Sequence, residues 1–435
     1  MLLAQAYHLC AIRGHLYRRV HSVTSATTHQ IRATHTGSTR LRRPRQCTEQ
    51  GRCFTVRPYS VSLSDSSDRI SSGDGAIERP RFTYGLAAAF AAKGTRFDPQ
   101  ADVFNFEATN DRATPSRMVE EARSDSVRKR FNSGQDAFFI CGVGNGREVA
   151  FGVADGVGGW AESGIDPADF SHGLCEHMEK CAVDFPQKED SETLRARNLM
   201  EAGYQTLLHG KSVSGGGSTA CVAVAGDTGT LEVAKHVSHL RHALGDSGFV
   251  QLRSNAVHHF SDPQTHAFNT PFQLSIVPPK ILAQSLVFGG QPLSDLPKDA
   301  NLTRHRVRHG DVLVFASDGV WDNLSAQDVL RIVARQMTSC RAWEASSRGV
   351  TVGKEMGRLI NQLDSWRVGR HTLQGTLASS IAGEAKSASM NSKVDGPFAR
   401  EVQKFFPDED YHGGKVDDIC VIVAVAVESD ATTAG

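Results

Sequence analysis

Short apolar runs typical of β-strands dominate the hydrophobic pattern of this chain, and two helical stripes lie between them. Residues 137–140 and 148–154 are β-prone and flank the glycine-rich stretch 142–146, so they predict a hairpin. Apolar residues then recur at helical spacing over 167–185 and 191–208. Further strands are predicted at 219–225, 230–234, 248–253, 311–316 and 419–427. Strand clusters around a helical pair, without strict βαβ alternation, predict an α+β fold of sheets covered by helices.

The remaining segments divide the chain into regions. A helix is predicted after Ser325, which stands three residues before Asp328 as in a capping box. Residues 338–410 are irregular, with one or two plausible amphipathic helices, and are too long for an ordinary loop, so we expect an insertion or flap there. Polar composition makes 61–125 a linker and weakly ordered N-terminal extension, and 126–435 the folded domain.

The first 60 residues predict a mitochondrial targeting leader. From Met1 to Thr48 there is no Asp or Glu, yet eight arginines occur among Ser, Thr and His. Positive charge responds to the membrane potential, whereas acidic residues would oppose import. The matrix is therefore the expected location, and the alternative is a disordered basic arm.

Composition excludes several classes of protein. Lys plus Arg equals Asp plus Glu at 48 each, which gives no reason to expect a nucleic-acid partner. The nine cysteines form no C-x-x-C pair, which argues against a disulfide framework or a structural zinc site. No apolar run approaches the roughly 18 residues that a spanning helix needs. We expect a monomer without a transmembrane segment.

Four segments place an aspartate at the end of an apolar strand, beside a glycine or a second aspartate. They are G-Q-D-A at 134–137, A-D-G-V-G-G at 154–159, A-S-D-G at 316–319 and V-D-D-I at 416–419. Each alone is more often a simple turn. Together, such carboxylates would repel one another unless a cation joined them. Oxygen ligands without His or Cys favour Mg²⁺ or Mn²⁺.

In this order, the motifs resemble those of the type 2C metal-dependent protein serine/threonine phosphatases, and closely those of their mitochondrial branch. The resemblance covers about 127–427 and includes G-S-T-A at 217–220, L-G-D-S-G at 244–248, F-N-T-P-F-Q-L-S at 268–275 and A-S-D-G-V-W-D-N at 316–323. It implies a four-layer α-β-β-α sandwich, in which two antiparallel sheets are flanked by helices and the metals lie in a cleft at one end. The implied substrates are phosphorylated proteins, and those of the mitochondrial branch are matrix proteins.

The resemblance also implies a role for each aspartate. Asp155 would bridge two Mg²⁺ or Mn²⁺ ions and, with Asp136, carry the catalytic function, while the Gly156 carbonyl completes one ion. Asp318 and Asp417 would bind the other ion, and Asp136 would reach its ion directly or through water. Asp246 and Asp322 occupy auxiliary positions where the family can place a third ion. Two ions activate a water against the phosphate ester without a covalent intermediate.

Several positions depart from the family pattern. Gln135 stands where many family members have a Glu, and as an auxiliary group its amide can still hydrogen-bond a metal-bound water. Val157 stands where many members have a His that is proposed as the general acid. Residues 235–243 interrupt a segment that is nearly continuous in the family. They are either an extra loop or an error in the predicted coding sequence. The phosphate-binding residue is unassigned, because Arg128 and Arg130 are out of register. These departures leave a pseudophosphatase that binds phosphoproteins as the alternative, and a metabolite phosphatase as a remote one.

Overall fold

The computed structural model describes residues 81–106, 130–144, 147–186, 193–236, 247–261, 265–288, 294–361 and 372–429. All of them belong to one compact unit, residues 78–435. The strands are β1 Arg81–Ala91, β2 Val103–Phe106, β3 Asp136–Gly142, β4 Val149–Asp155, β5 Gly216–Ser218, β6 Cys221–Ala225, β7 Thr230–His236, β8 Gly248–Arg253, β9 Ala256–Phe260, β10 Thr265–Ala267, β11 Thr270–Pro271, β12 Leu274–Ile276, β13 Ala300–Arg306, β14 Val312–Ala316, β15 Trp343–Ser346, β16 Gly349–Val352 and β17 Ile419–Ser429. The helices are α1 Pro167–Val183, α2 Ala196–Gly210, α3 Pro279–Phe288, α4 Asp318–Trp321, α5 Ala326–Ser339, α6 Met356–Asn361, α7 Leu373–Ser389 and α8 Pro397–Phe405, with 3₁₀ turns at Gly158–Ser163 and Pro297–Asp299.

Two antiparallel sheets form the centre of the fold. The first has six strands in the order β2-β1-β17-β14-β8-β9, and the second has five in the order β13-β7-β6-β4-β3. Their facing sides share one core, in which Phe315 lies 5.0 Å from Phe151 of the other sheet and 5.0 Å from Phe249 between ring centroids. Burying each such side chain stabilises the fold by about 1.5–3 kcal/mol.

Helices cover the outer faces of both sheets. On β17, Ile422 and Ala424 face the other sheet, while Val421 and Val423 face the helical layer, as the two-residue period of a strand requires. The helices α5 and α7 pack on this six-stranded sheet, and α1 and α2 pack on the five-stranded sheet. The predicted α+β class and four-layer sandwich are confirmed.

Local signals explain where two of these helices begin. The Asp166 carboxylate accepts a hydrogen bond from the Ala168 amide at 3.0 Å, with a proline at the first helical position of α1. The predicted capping box of α5 is confirmed, since Ser325 accepts from the Asp328 amide and the Asp328 carboxylate accepts from the Ser325 amide. None of the helices in the described ranges is long and apolar enough to cross a membrane.

Two regional predictions are wrong. Residues 81–106, assigned to the weakly ordered extension, form β1 and β2, and β1 pairs with β17 along eleven residues. The alanine-rich sequence of β1 lacks strong strand propensity, so burial between β2 and β17 decides its structure. Residues 338–410, expected to be an insertion or flap with one or two helices, instead contribute to the core: α7 is a 17-residue helix whose Leu377 and Ile381 belong to it. The leader at 1–60 lies outside the described residues.

Candidate metal centre

The acidic motifs meet at one end of the sandwich. Asp136 at the start of β3 pairs in register with Asp155 at the end of β4. On the other sheet, Ala316 at the end of β14 pairs with Val421, so the following Asp318 lies beside the start of β17 and Asp417. Asp155 lies within electrostatic range of Asp136, Asp318 and Asp417. The fold therefore brings four of the predicted ligands together from both sheets.

The G-S-T-A segment holds the end of β4 in place. The Asp155 carbonyl accepts from the Ser218 hydroxyl at 2.8 Å and from the Thr219 amide at 2.9 Å. Residues Gly216–Ser218 in turn pair with β12, which belongs to the F-N-T-P-F-Q-L-S motif. Two motifs that carry no acid thus fix the backbone of Asp155 and Gly156.

A buried hydroxyl orients Asp136. The Ser317 hydroxyl donates to Asp136 Oδ2 at 2.6 Å and accepts from the Cys420 amide at 3.0 Å. Asp136 is only 1% exposed. Ser317 therefore joins the ends of β3, β14 and β17 at the site.

The second aspartate of the V-D-D-I motif is a structural brace. Asp418 accepts from the Gln135 amide at 2.9 Å and from the Lys93 amide at 2.5 Å. Gly134 lies in the left-handed region at φ 70°, and an added Cβ there would stand 2.0 Å from Asp418 Oδ1. Gln135 contributes its backbone too, because its carbonyl accepts from the Gly156 amide at 3.0 Å.

A lysine lies among the carboxylates of the other sheet. The Lys415 ammonium is 2.7 Å from Asp318 Oδ2, 2.6 Å from Asp322 Oδ2 and 3.1 Å from Asp417 Oδ2. Its side chain is 17% exposed and that of Asp322 is fully buried. Lys93 lies at the rim, with its half-exposed ammonium 3.4 Å from Asp417 Oδ1.

The electrostatics of the site favour bound cations. Burial raises the pKa of Asp136 and of Asp155 well above the usual range, and neighbouring aspartates raise each further. Burial also raises the pKa of Asp322 to about 7, although Lys415 opposes the shift. Asp417 differs, because Lys415 and Lys93 outweigh burial and lower its pKa. Burial alone would lower the pKa of Lys415, but Asp318, Asp322 and Asp417 raise it well above its usual value.

The donor set fits hard divalent ions. It consists of carboxylate and carbonyl oxygens, which are the ligands that Mg²⁺ and Mn²⁺ prefer. Asp322 Oδ2 is bound by Lys415, and the buried Asp322 Oδ1 has no hydrogen-bond partner among the described residues. Within those same residues, no three His, Cys, Asp or Glu side chains are already arranged around one ion position. The acids converge, but on the Asp318 side their oxygens are directed to Lys415.

Some predicted residues cannot be placed and others have different partners. Asp246, Arg128 and residues 237–243 of the predicted loop lie outside the described residues, while Lys235 and His236 belong to β7 and not to a loop. Arg130 forms ion pairs with Asp166 and Asp169 at the start of α1. Neither arginine is therefore assigned to phosphate binding.

Sequence reasoning missed Lys415, Lys93, Asp418 and Ser317. Ser317 and Asp418 are adjacent to predicted ligands, so position alone could have suggested them. Lys415 stands two residues before Asp417, in a G-G-K segment that is typical of a loop. No comparable signal distinguished Lys93.

Comparison with known proteins places this geometry in a family. The chain is 33% identical over 311 residues to the human protein phosphatase PTC7 homolog, covering 70% of this chain and 84% of the relative. It is 32% identical over 311 residues to the PTC7 homolog of Xenopus laevis, covering 71% and 86%. It is 28% identical over 370 residues to the mitochondrial protein phosphatase 2C homolog 7 of Saccharomyces cerevisiae, covering 84% and 90%. No family model matches the chain.

Solved structures give a weaker likeness. The photosystem II phosphatase PBCP aligns with a TM-score of 0.47 at 22% identity, covering 79% of this chain and 98% of that one. The catalytic domain of the serine/threonine phosphatase PstP, solved with two manganese ions, aligns with a TM-score of 0.37 at 14% identity, covering 80% and 99%. The identities to the PTC7 relatives, over most of both chains, are decisive: this chain belongs to the type 2C metal-dependent protein serine/threonine phosphatases, in the mitochondrial PTC7 branch.

Proposed function

We propose that this protein hydrolyses phosphoserine and phosphothreonine esters of mitochondrial proteins at a centre of two Mg²⁺ or Mn²⁺ ions. The observation that carries the proposal is the convergence of Asp136, Asp155, Asp318 and Asp417 from both sheets at one end of the sandwich. Buried carboxylates that raise one another's pKa values destabilise the fold when they are ionised, and a bound cation removes this repulsion.

Each residue has a role in this proposal. Asp155, fixed by Ser218 and Thr219, would bridge the two ions, and the Gly156 carbonyl would complete one of them. Asp318 and Asp417 would hold the other ion through oxygens that Lys415 does not contact. Asp136, oriented by Ser317, would bind its ion directly or through water. When bound, such ions supply an acidified water and neutralise the charge that develops on the phosphate.

The chain's own residues prepare the site for that chemistry. The hydrogen bonds of Ser317, Thr219 and Asp418 fix the strand ends, so the backbone that carries the ligands is already in place. Lys93 is the half-exposed cation at the rim, and we assign it the role of attracting the substrate phosphate.

Manganese-dependent hydrolysis by purified protein tests the function. With p-nitrophenyl phosphate and a phosphothreonine peptide, Asp155→Asn should reduce kcat by at least about a hundredfold, since it removes a charge shared by both ions. The control is Asp184→Asn. Asp184 is exposed at the C-terminal end of α1, near the end of β3 that is farthest from Asp136. Full activity in Asp155→Asn would reject the proposal. Phosphopeptide binding without turnover in the wild type would indicate a pseudophosphatase instead.

The location is part of the proposal. It is supported by the arginine-rich leader, whose first 48 residues contain no Asp or Glu, and by the mitochondrial yeast relative. A fluorescent fusion of the full chain should enter the mitochondrial matrix, and one lacking residues 1–60 should remain outside. Identical distributions of the two fusions would contradict the assignment of the leader.

A further inference from the structure

We propose that the Lys415 ammonium permanently takes the position that a third divalent ion would fill between Asp318 and Asp322, so that this enzyme binds two ions. The inference rests on the proposed two-ion centre and deepens it. Asp322 is the auxiliary carboxylate of the A-S-D-G-V-W-D-N motif, and its Oδ2 lies 2.6 Å from the Lys415 ammonium. The same ammonium lies 2.7 Å from Asp318 Oδ2.

Acceptor oxygens surround the ammonium. It donates to Asp318 Oδ2 at 2.7 Å and to Asp322 Oδ2 at 2.6 Å, and it forms an ion pair with Asp417 Oδ2 at 3.1 Å. A divalent ion could not enter between the same oxygens without expelling it, because two cations within about 3 Å would repel strongly in a buried site. The lysine and a third ion are therefore mutually exclusive.

The surrounding structure fixes Lys415 rather than leaving it free to move away. The Asn323 side chain holds the Lys415 backbone from both sides: Asn323 Nδ2 donates to the Lys415 carbonyl at 2.8 Å, and Asn323 Oδ1 accepts from the Lys415 amide at 2.9 Å. The ammonium lies 4.9 Å from the ring centroid of Phe398 on α8. The preceding Gly414 is packed so tightly that an added Cβ would stand 2.1 Å from the Ala388 carbonyl of α7.

Charge balance among the described residues agrees with two ions beside Lys415. Asp136, Asp155, Asp318, Asp322, Asp417 and Asp418 carry six negative charges when ionised, and two divalent ions with the ammonium groups of Lys415 and Lys93 carry six positive ones. Asp322 in particular is fully buried and needs a cation beside it.

Counting manganese ions in the full-length protein tests the inference. Isothermal titration and elemental analysis with Mn²⁺ alone should give two ions for the wild type and a third for Lys415→Ala. Lys415→Met keeps the side chain on Phe398 and removes only the charge, so it should also gain an ion and serves if the alanine variant folds poorly. Lys404→Met is the matched control on an exposed lysine of α8 and should bind two.

Asp322→Asn provides an independent arm. If Lys415 fills the position, this variant still binds two ions. Three ions in the wild type, falling to two in Asp322→Asn, would overturn the inference and leave the proposed function intact. Unchanged ion number and affinity in both Lys415 variants would also overturn it. A wild type that binds no manganese would instead reject the two-ion centre and, with it, this inference.

Discussion

The glycine after Asp318 offers a severe test of how the site is built. A Cβ added at Gly319 would stand 1.8 Å from the Asp418 carbonyl oxygen, whereas real Cβ contacts essentially never fall below 3.0 Å. Gly319→Ala must therefore separate α4 from the start of β17 by about 1.2 Å. The atom it meets is backbone, so no side-chain rotation can relieve the clash.

That displacement moves Asp318 away from Asp417. A shift of about 1 Å in catalytic geometry costs on the order of a hundredfold in rate. Overpacking at the same place costs about 1–3 kcal/mol of unfolding free energy, more than the helix propensity of alanine returns. We expect Gly319→Ala to fold, to bind Mn²⁺ more weakly and to lose about a hundredfold in kcat.

The assay is hydrolysis of p-nitrophenyl phosphate over a Mn²⁺ titration, together with urea denaturation of the same preparations. Gly142→Ala is the matched control, because Gly142 is at the end of β3 remote from Asp136 and an added Cβ there would meet nothing within 4 Å. It should retain wild-type rate and stability. A Gly319→Ala protein with unchanged kcat and Mn²⁺ affinity would refute the close approach of α4 and β17.

Three further predictions concern charge, capping and substrate. Because burial raises the folded pKa of Asp322 to about 7 against an ordinary value of 3.8, the metal-free protein should lose stability as pH rises from about 4 to 7. Asp136 and Asp155, the proposed ion ligands, also have raised pKa values and bind ions when ionised, so Mn²⁺ should stabilise the protein more at pH 7.5 than at pH 5 in thermal denaturation; an equal Mn²⁺ effect at both values would contradict this. Ser325→Ala should lower the unfolding free energy by about 1 kcal/mol in urea with kcat unchanged, since it removes the cap of α5, and a neutral result would deny the capping box its role. Lys93→Gln should raise KM for a phosphopeptide roughly tenfold, the worth of one charge-assisted hydrogen bond, with a smaller effect on kcat; an unchanged KM would remove Lys93 from substrate binding.

Much of the fold could be predicted because its strands have the required pattern. The run at 419–427 has β-branched and alanine residues throughout, and it forms the strand buried on both faces that this pattern predicts. β1 could not be recognised in the same way. Its larger part, G-L-A-A-A-F-A at 85–91, has neither β-branched residues nor alternation, and pairing with β17 and β2 makes it a strand.

The irregular composition of 338–410 misled for a related reason. Helix α7 has small residues on its packed face, including Ala378, Ala382 and Ala385, because it lies close against β1 and β17. Small residues dilute the hydrophobic stripe from which a helix is predicted. Close packing thus hides an element that belongs to the core.

The acidic residues of the site could be predicted from their motifs, but their counter-charge could not. Asp318 and Asp417 are adjacent to strands whose ends are fixed by the sheet, so sequence position and spatial position agree. Lys415 lies in a segment whose course depends on Asn323, α7 and α8. Asn323 is 92 residues away along the chain, and both helices belong to the region predicted as irregular. A contact of that kind becomes visible only after the fold is known.

The fixed ammonium also determines how the site behaves before metal arrives. Without a cation, Asp318, Asp322 and Asp417 would repel one another, and the short helix α4 would separate from β17. Lys415 keeps these three acids close in the metal-free chain, so the ions need not bring them together. The same charge weakens the attraction of the site for each ion. A built-in lysine therefore lowers the metal affinity somewhat but holds these acids close to one another before the ions bind.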